Sequence, residues 1–354
     1  MIHQPEKSRI SAAICTYNRY DLLEKSIASL IAQNIDTDQY KIIIIDNSPA
    51  NETARQFQER YNGKPNIHYL IERKPGLSNA RNIAARICSS KYIAYIDDDA
   101  IADVTWLKSI LYAFDRFGPQ AGIVCGKVRP IWPSDPPEWL PRSLLRALTI
   151  VDWGDTMRIA EPGQSFAGTN FSVCVAPLLE LGGFSPSLGR IGNGRILLSN
   201  EELDLIERMR AAGYETIWAP DARVDHLVRA ERLTQAWLRK RYAWQAVSDY
   251  ISDPDEAMKN AEERWQSISD YIQSWPPRFR TPAALFESVD DPRLFEKQIW
   301  AVYCLTILLL AGEETEKHPA CSGDGAYLRI VSSLNRFHPR ALFRSIFAFL
   351  KQGP

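Results

Sequence analysis

Apolar and polar residues follow two different periods along the first two thirds of the chain. Short continuous apolar runs, of which 40–45 is the clearest, are typical of strands buried in a parallel sheet. Between them, segments such as 20–33 place apolar residues at helical spacing. The pattern predicts strands at 9–15, 40–45, 67–71, 92–96, 122–129, 166–175 and 215–219. It predicts helices at 20–33, 52–61, 77–88, 104–117, 177–182 and 201–212. This alternation predicts an α/β fold with a mostly parallel, mixed sheet.

The chain changes character after His226, where it becomes helical, basic and aromatic. We therefore expect an α/β domain at 1–228 and a helical C-terminal region at 229–354. Its apolar run at 299–311 is too short to cross a membrane comfortably and predicts a buried helix.

Two basic segments of the C-terminal region, 236–247 and 335–352, are rich in aromatic residues. Two interpretations stay open for them. As amphipathic helices they could lie in a membrane interface, as peripheral contacts with anionic lipid. Alternatively they pack on the first domain, because any surface helix is amphipathic.

Composition narrows the class of protein. The 354 residues carry 42 basic and 43 acidic side chains, a balance that gives no reason to expect a nucleic-acid partner. The six cysteines include no CxxC pair, which favours a reduced, cytoplasmic chain over a disulfide framework or a zinc site. The polar N-terminus lacks the apolar run of a signal peptide.

Three consecutive carboxylates, Asp97, Asp98 and Asp99, follow the apolar run 92–96. Their mutual repulsion favours a nearby positive charge, and a divalent cation with oxygen ligands is the commonest solution. The alternative is an acidic first turn of the next helix, where carboxylates suit the helix dipole.

Five further motifs accompany the triplet at loop positions or helix starts. They are Thr16-Tyr17-Asn18-Arg19, Asp46, the segment 76–82, the segment 200–214 and His226. In this order the set closely resembles the inverting glycosyltransferases of family 2, which have the nucleotide-diphospho-sugar transferase (GT-A) fold. The resemblance covers roughly residues 10–227, and it is the ordered set, rather than any one motif, that is specific.

The resemblance implies a role for each motif. Asp46 would hydrogen-bond the nucleotide base, and Asp99 would bind a divalent metal together with Asp97 and His226. Glu202 would be the catalytic base, and Glu201 would shape the sugar pocket. The implied nucleotide-binding residues are Thr16, Tyr17, Asn18, Arg19, Asp46, Asn79, Arg81, Asp97 and Asp98. The implied donor- or acceptor-sugar residues are Gly168, Thr169 and Asn170.

The Gly-rich segment 188–199, with Arg190 and Arg195, resembles a mobile lid over the donor or acceptor. Three positions depart from the family pattern. Glu202 stands where the family usually has Asp, Asn200 replaces a common Gly, and Asn47 follows Asp46 where many members have a second Asp. Asn200 would also be a suitable N-cap for the helix that begins at Glu201.

The implied function is transfer of a sugar from a nucleotide-diphospho-sugar, expected to be UDP-linked, to a hydroxyl group. The expected acceptor is a glycan, glycolipid or other lipid-linked molecule of polysaccharide or glycoconjugate biosynthesis, and the expected cofactor is Mn²⁺ or Mg²⁺. One alternative is a nucleotidyltransferase of related fold, although 16–21 lacks the Gly-rich triphosphate loop of those enzymes. The other is a non-catalytic nucleotide- or glycan-binding protein, which would not need Asp97, Asp99, Glu202 and His226 together.

Overall fold

The computed structural model describes residues 8–49, 51–190, 197–261, 263 and 285–317. The chain divides into two compact units. The first contains residues 1–133 and 148–228, and the second contains residues 134–147 and 229–354.

The described part of the first unit is built on one sheet of nine strands. The strands are β1 (Ile10–Thr16), β2 (Tyr40–Asp46), β3 (Ile67–Ile71), β4 (Tyr92–Asp97), β5 (Ala100–Ala102), β6 (Ala121–Ile131), β7 (Arg158–Ile159), β8 (Phe171–Cys174) and β9 (Glu215–Leu227). Their order is β3-β2-β1-β4-β8-β6-β9-β5, with β7 paired to β9. Strands β3, β2, β1 and β4 are parallel to one another, as β6 is to β9, whereas β8, β5 and β7 run antiparallel to their neighbours. The predicted mixed, mostly parallel α/β sheet is confirmed.

Helices cover the sheet, and each buries an apolar stripe against it. They are α1 (Tyr20–Ile31), α2 (Glu52–Asn62), α3 (Leu77–Ile87), α4 (Trp106–Phe117), α5 (Val175–Glu180) and α6 (Glu201–Ala211). The isoleucine run of β2 is buried on both faces of the sheet, which explains why it is apolar at every position.

Strand β5 was missing from the sequence prediction, and it excludes one of the two interpretations of the triplet. The chain turns at Asp98 and Asp99 and enters β5, and α4 begins only at Trp106. The triplet is therefore not the first turn of a helix. Three residues are too short a run for periodicity to detect.

Strands β8 and β9 also differ from their predicted lengths. Strand β8 begins only at Phe171, because Gly168–Asn170 form a 3₁₀ turn. Strand β9 continues to Leu227, and His226 therefore lies within a strand rather than after one. Pro220 obscured this continuation because proline is rare inside strands. The pairing with β6 is irregular at this point, which tolerates the proline.

In the second unit, α7 (Gln235–Ser252) packs against α8 (Pro292–Lys317). The apolar run that starts at Ile299 is largely buried within α8, as predicted. None of the helices in the described ranges is long and apolar enough to cross a membrane. The basic segment 335–352 lies outside the described residues.

The basic residues of α7 are mostly buried rather than displayed. Arg239 donates hydrogen bonds to the Gln298 side chain and to the Glu287 carbonyl, and burial lowers its pKa to about 10. Lys240 is buried as well. These two cations are therefore engaged inside the unit and form no exposed basic face for anionic lipid.

Candidate active site

The carboxyl ends of β1, β2 and β4 bring the predicted polar residues to one edge of the sheet. Thr16 at the end of β1 pairs in register with Asp46, and Cys15 pairs with Asp97. In an open α/β sheet this edge is where ligands bind. The sheet register therefore explains why motifs distant in sequence meet.

The negative charge of the triplet is opposed by Arg19. Its Nη1 lies 3.1 Å from Asp98 Oδ1 and 2.7 Å from Asp99 Oδ2. Thr16 donates its hydroxyl to Asp98 Oδ2 at 2.7 Å. Burial raises the pKa of Asp98 to about 7, although the charge of Arg19 opposes the rise. Asp98 is thus fixed from inside the protein by Arg19 and Thr16.

Asp97, Asp99 and His226 form a candidate metal centre. One ligand atom from each lies within 4.8 Å of the others, and His226 Nε2 is 3.3 Å from Asp99 Oδ1. Strand β5 sets this geometry, because Ala100, next to Asp99, pairs in register with His226. Two carboxylates and an imidazole are a donor set that suits Mn²⁺, and also Mg²⁺.

The surroundings of His226 fit a metal ligand as well. Its ring is almost fully buried, and its Nδ1 has no hydrogen-bond partner in the described part of the chain. Asp225 precedes His226 in the chain but does not bond to its ring. Asp225 forms a two-point ion pair with Arg129, because neighbouring strand residues point to opposite faces.

The predicted base, Glu202, lies in a buried cluster at the start of α6. Arg81 Nη1 is 2.9 Å from Glu202 Oε1 and 3.0 Å from Glu201 Oε1, and Arg81 Nη2 is 3.8 Å from Asp97 Oδ1. Burial acts to lower the pKa of Arg81, but the charges of Glu202 and Glu201 outweigh it and raise the pKa. Arg81, which the resemblance implies as a nucleotide-binding residue, is almost fully buried among these carboxylates.

Asn200 explains the start of α6. It occupies the N-cap position with φ of 77°, a left-handed conformation that glycine and asparagine adopt most readily. This is why Asn can replace the Gly common in the family. The Asn200 side chain does not form the expected cap hydrogen bond.

The segment Gly168–Asn170 divides between the site and the core. Thr169 accepts a hydrogen bond from the Asp97 backbone N–H at 3.2 Å and is fully buried. The Asn170 side chain bonds to Trp106 and to two backbone carbonyls, so it serves the core rather than facing a sugar. Gly168 lies directly against Glu202 and Arg81.

Asp46 is fully buried beneath two tyrosines that the sequence interpretation missed. Its carboxylate accepts hydrogen bonds from the hydroxyls of Tyr69, at 2.7 Å, and Tyr20, at 3.1 Å, and from the Ser48 N–H. Burial raises the pKa of Tyr69, so its hydroxyl remains a donor. The only sequence signal for these partners was their place in the predicted elements. Tyr20 begins the helix after β1, Tyr69 lies on β3, and both strands neighbour β2.

The remaining predicted residues lie in the surrounding loops and at the start of α3. Asn18 has φ of 53° and donates its N–H to Ser48 Oγ, so it shapes the β1 loop, and Tyr17 next to it is partly exposed. Asn79 donates to the Lys74 carbonyl and is not joined to the carboxylates. Arg190 accepts a hydrogen bond through its carbonyl from the Leu77 N–H. Residues 191–196 of the predicted lid, which include Arg195, lie outside the described residues.

A methyl group at position 168 should disturb the base. A Cβ there would lie 1.9 Å from Glu202 Oε1 and 2.1 Å from Arg81 Nη2. Both are ends of flexible side chains, so we expect Gly168→Ala to cost only about 1–2 kcal/mol of unfolding free energy. We expect the rate of sugar transfer to fall at least about 10-fold, because Glu202, the predicted base, is displaced. Gly63→Ala is the control, since no atom lies within 4 Å of its added Cβ. Full activity in Gly168→Ala would show that the observed pose of Glu202 is not required.

Glu201 should make stability depend on pH. Burial and the charge of Glu202 raise the pKa of Glu201 from 4.5 to about 8. The folded protein therefore keeps a proton that the unfolded chain loses, and the free energy of unfolding falls as pH rises through this window. Since one pKa unit corresponds to about 1.4 kcal/mol, we expect a fall of about 1–3 kcal/mol between about pH 5 and pH 8.

Glu201→Gln cannot ionise, so its stability should fall less over the same range. Urea denaturation at both pH values measures the difference. Glu207→Gln, on the exposed side of α6, is the control. Equal slopes in wild type and Glu201→Gln would contradict the raised pKa.

The chain is similar to known glycosyltransferases. Residues 11–168 match the sequence model described as Glycosyl transferase family 2. A glucosyl-dolichyl phosphate glucuronosyltransferase of Haloferax volcanii is 25% identical over 248 residues, which are 69% of this chain and 77% of the relative. The succinoglycan biosynthesis protein ExoM of Rhizobium meliloti is 27% identical over 242 residues, which are 67% of this chain and 72% of the relative. A mannosyltransferase from Pyrobaculum calidifontis, solved in complex with GDP-Man and Mn²⁺, aligns with 98% of this chain and 86% of its own, at 18% identity and a TM-score of 0.48. The family match includes the acidic turn but ends before Glu201, Glu202 and His226.

Proposed function

We propose that this chain, whose residues 11–168 match glycosyl transferase family 2, is an inverting, metal-dependent transferase that uses a nucleotide-diphospho-sugar. One observation carries the proposal. Glu202 lies 2.9 Å from Arg81 Nη1, and Asp97 lies 3.8 Å from Arg81 Nη2. The proposed base and a proposed metal ligand therefore converge on one guanidinium, as a single site requires.

The reaction is a single displacement. Glu202 takes the proton of an acceptor hydroxyl as that oxygen forms a bond to the anomeric carbon of the sugar. The bond from that carbon to the diphosphate breaks on the opposite face, so the configuration inverts. Asp97, Asp99 and His226 would hold Mn²⁺ or Mg²⁺, which when bound supplies charge neutralisation for the departing diphosphate. Thr16 and Arg19 hold Asp98, and Arg19 also pairs with Asp99, so a bound metal would share the Asp99 carboxylate with this guanidinium.

The proposed donor is UDP-linked. Asp46 ends β2 beside Thr16, and a carboxylate suits the imide N–H of uracil. Tyr20, which is partly exposed, bonds to that carboxylate. Asp46 therefore contacts a base only when the Tyr20 hydroxyl gives up this bond.

The proposed acceptor is a lipid-linked or polymeric glycan. The two relatives support this class, since one is named for transfer to a glucosyl-dolichyl phosphate and the other for succinoglycan biosynthesis. Transfer accounts for Glu202 better than the nucleotidyltransferase or non-catalytic alternatives, which need no base for a hydroxyl acceptor.

A donor panel tests the proposal. Sugars linked to UDP, GDP and dTDP are incubated with the enzyme and Mn²⁺ or with chelator, and release of the nucleoside diphosphate is measured. We expect release from a UDP-sugar only when metal is present, and NMR of the product should show an inverted anomeric centre. A retained configuration would rule out the single displacement, and metal-independent turnover would rule out the metal role.

A further inference from the structure

Helix α3 presents a buried polar face. Ser78, Arg81 and Asn82 share one face, since they are spaced three and four residues apart on the helix, and all three are buried. Buried polar side chains need hydrogen-bond partners. Ser78 and Asn82 find them in the segment 184–188, and Arg81 finds them in Glu201 and Glu202, the proposed base, at the start of α6.

Two of these residues fix the backbone of that segment. Asn82 donates to the Phe184 carbonyl at 2.8 Å and accepts from the Phe184 N–H at 2.7 Å. Ser78 donates to the Leu188 carbonyl at 2.8 Å. Glycines permit this close approach, because a Cβ on Gly183 would lie 2.4 Å from Asn82 Oδ1, and one on Gly189 would lie 2.7 Å from Ser78 Oγ.

Arg81 holds the first two residues of α6. One guanidinium nitrogen reaches both Glu201 and Glu202, at 3.0 and 2.9 Å. The guanidinium also lies beside two aromatic rings that contact each other, with its Cζ 5.4 Å from the Phe184 ring centre and 5.9 Å from that of Tyr95. Only 3% of the side chain is exposed, which leaves little surface for a phosphate. Phe184 in turn is the residue that Asn82 holds.

We propose that Arg81 is a positioning residue that acts through Glu202, and that it is not a nucleotide ligand. The guanidinium holds the carboxylate of the proposed base in place, while Ser78 and Asn82 hold the backbone of the segment 184–188 on the same face of α3. The inference rests on the proposed function, in which Glu202 is the base. The polar face of α3 would then serve the proton transfer to Glu202 rather than the binding of the donor.

Steady-state kinetics and donor binding test the assignment. We expect Arg81→Gln to lower kcat by about 10²-fold, the size of effect that a misplaced catalytic group produces. The donor Kd, measured by calorimetry, should stay within about threefold of wild type, because the interaction serves the reaction rather than donor binding. Arg81→Lys should recover part of the rate, since it restores the charge but not the two-carboxylate geometry. Arg86→Gln, on the exposed last turn of α3, is the control.

A double-mutant cycle separates this role from the others. If Arg81 acts through Glu202, adding Arg81→Gln to Glu202→Gln should reduce kcat no further. The proposal would be overturned if the double variant lost kcat by the product of the two single losses. It would also be overturned if donor affinity in Arg81→Gln fell in parallel with the rate. Should Arg81→Gln fail to fold, as judged by thermal unfolding, Arg81→Lys carries the same cycle. Full activity in Glu202→Gln would overturn the proposed function itself. If Glu202→Gln is inactive but Arg81→Gln has a normal kcat, only the positioning role of Arg81 is overturned.

Discussion

Replacement of Glu202 by glutamine should reduce sugar transfer by about 10²–10⁴-fold, the usual contribution of a general base. Glutamine has nearly the same shape but cannot accept the proton of the acceptor hydroxyl. Donor binding should be unchanged, because the contacts of Glu202 are with Arg81 and the neighbouring Glu201 rather than with the β1 and β2 loops. Release of nucleoside diphosphate measures the rate, and calorimetric titration of the donor measures binding.

Glu207→Gln is the matched control for this substitution. Glu207 lies on the same helix, is exposed and pairs with Arg210, so its replacement should leave the rate at the wild-type level. Undiminished turnover in Glu202→Gln would remove Glu202 from the role of base. A parallel loss of donor affinity would place it in the donor site instead.

Loss of the Asp99 carboxylate should abolish metal-dependent nucleotide binding. Asp99→Asn removes a charged ligand that faces His226 at 3.3 Å, and an amide is a much weaker ligand for Mn²⁺. We expect the affinity for UDP in the presence of Mn²⁺ to fall by about 10–100-fold or more, the range found when metal-site partners are removed. Without metal, wild type and Asp99→Asn should bind UDP equally weakly.

The same titration with Asp225→Asn provides the control. Asp225 precedes His226 on β9 but pairs with Arg129, so its loss should leave the metal dependence intact. His226→Ala should behave like Asp99→Asn. Metal-dependent binding that survives in both of these variants would exclude the candidate centre.

The sequence predicted the strand and helix framework because hydrophobic periodicity is strong in a sheet covered on both faces. It also indicated which residues meet at the carboxyl edge, since Asp46 and the acidic triplet each follow a buried strand. The short strand β5 and the extension of β9 beyond Pro220 depend on pairing between distant segments. Periodicity within a window cannot detect such pairing.

The roles of single side chains were less predictable than their location. Arg81 bonds to two glutamates that lie 120 and 121 positions later in the chain. Asn170, assigned to the sugar, is satisfied entirely by Trp106 and by the backbone of β6 and β9. In both cases the side chain follows partners that only the fold brings near, and an arginine or asparagine bonds to whichever acceptors lie closest.

The position of β8 in the sheet has a consequence for the order of folding. This four-residue strand lies between β4 and β6, and it is the only described strand that joins the β3-β2-β1-β4 half to the half containing β6 and β9. It begins at Phe171, three residues after the end of the family match. During synthesis, β4 and β6 each keep an open edge until β8 emerges, and open edges invite pairing with other chains. A fragment cut at the limit of the family match would keep the acidic triplet but lose β8, and with it the link between the two halves of the sheet.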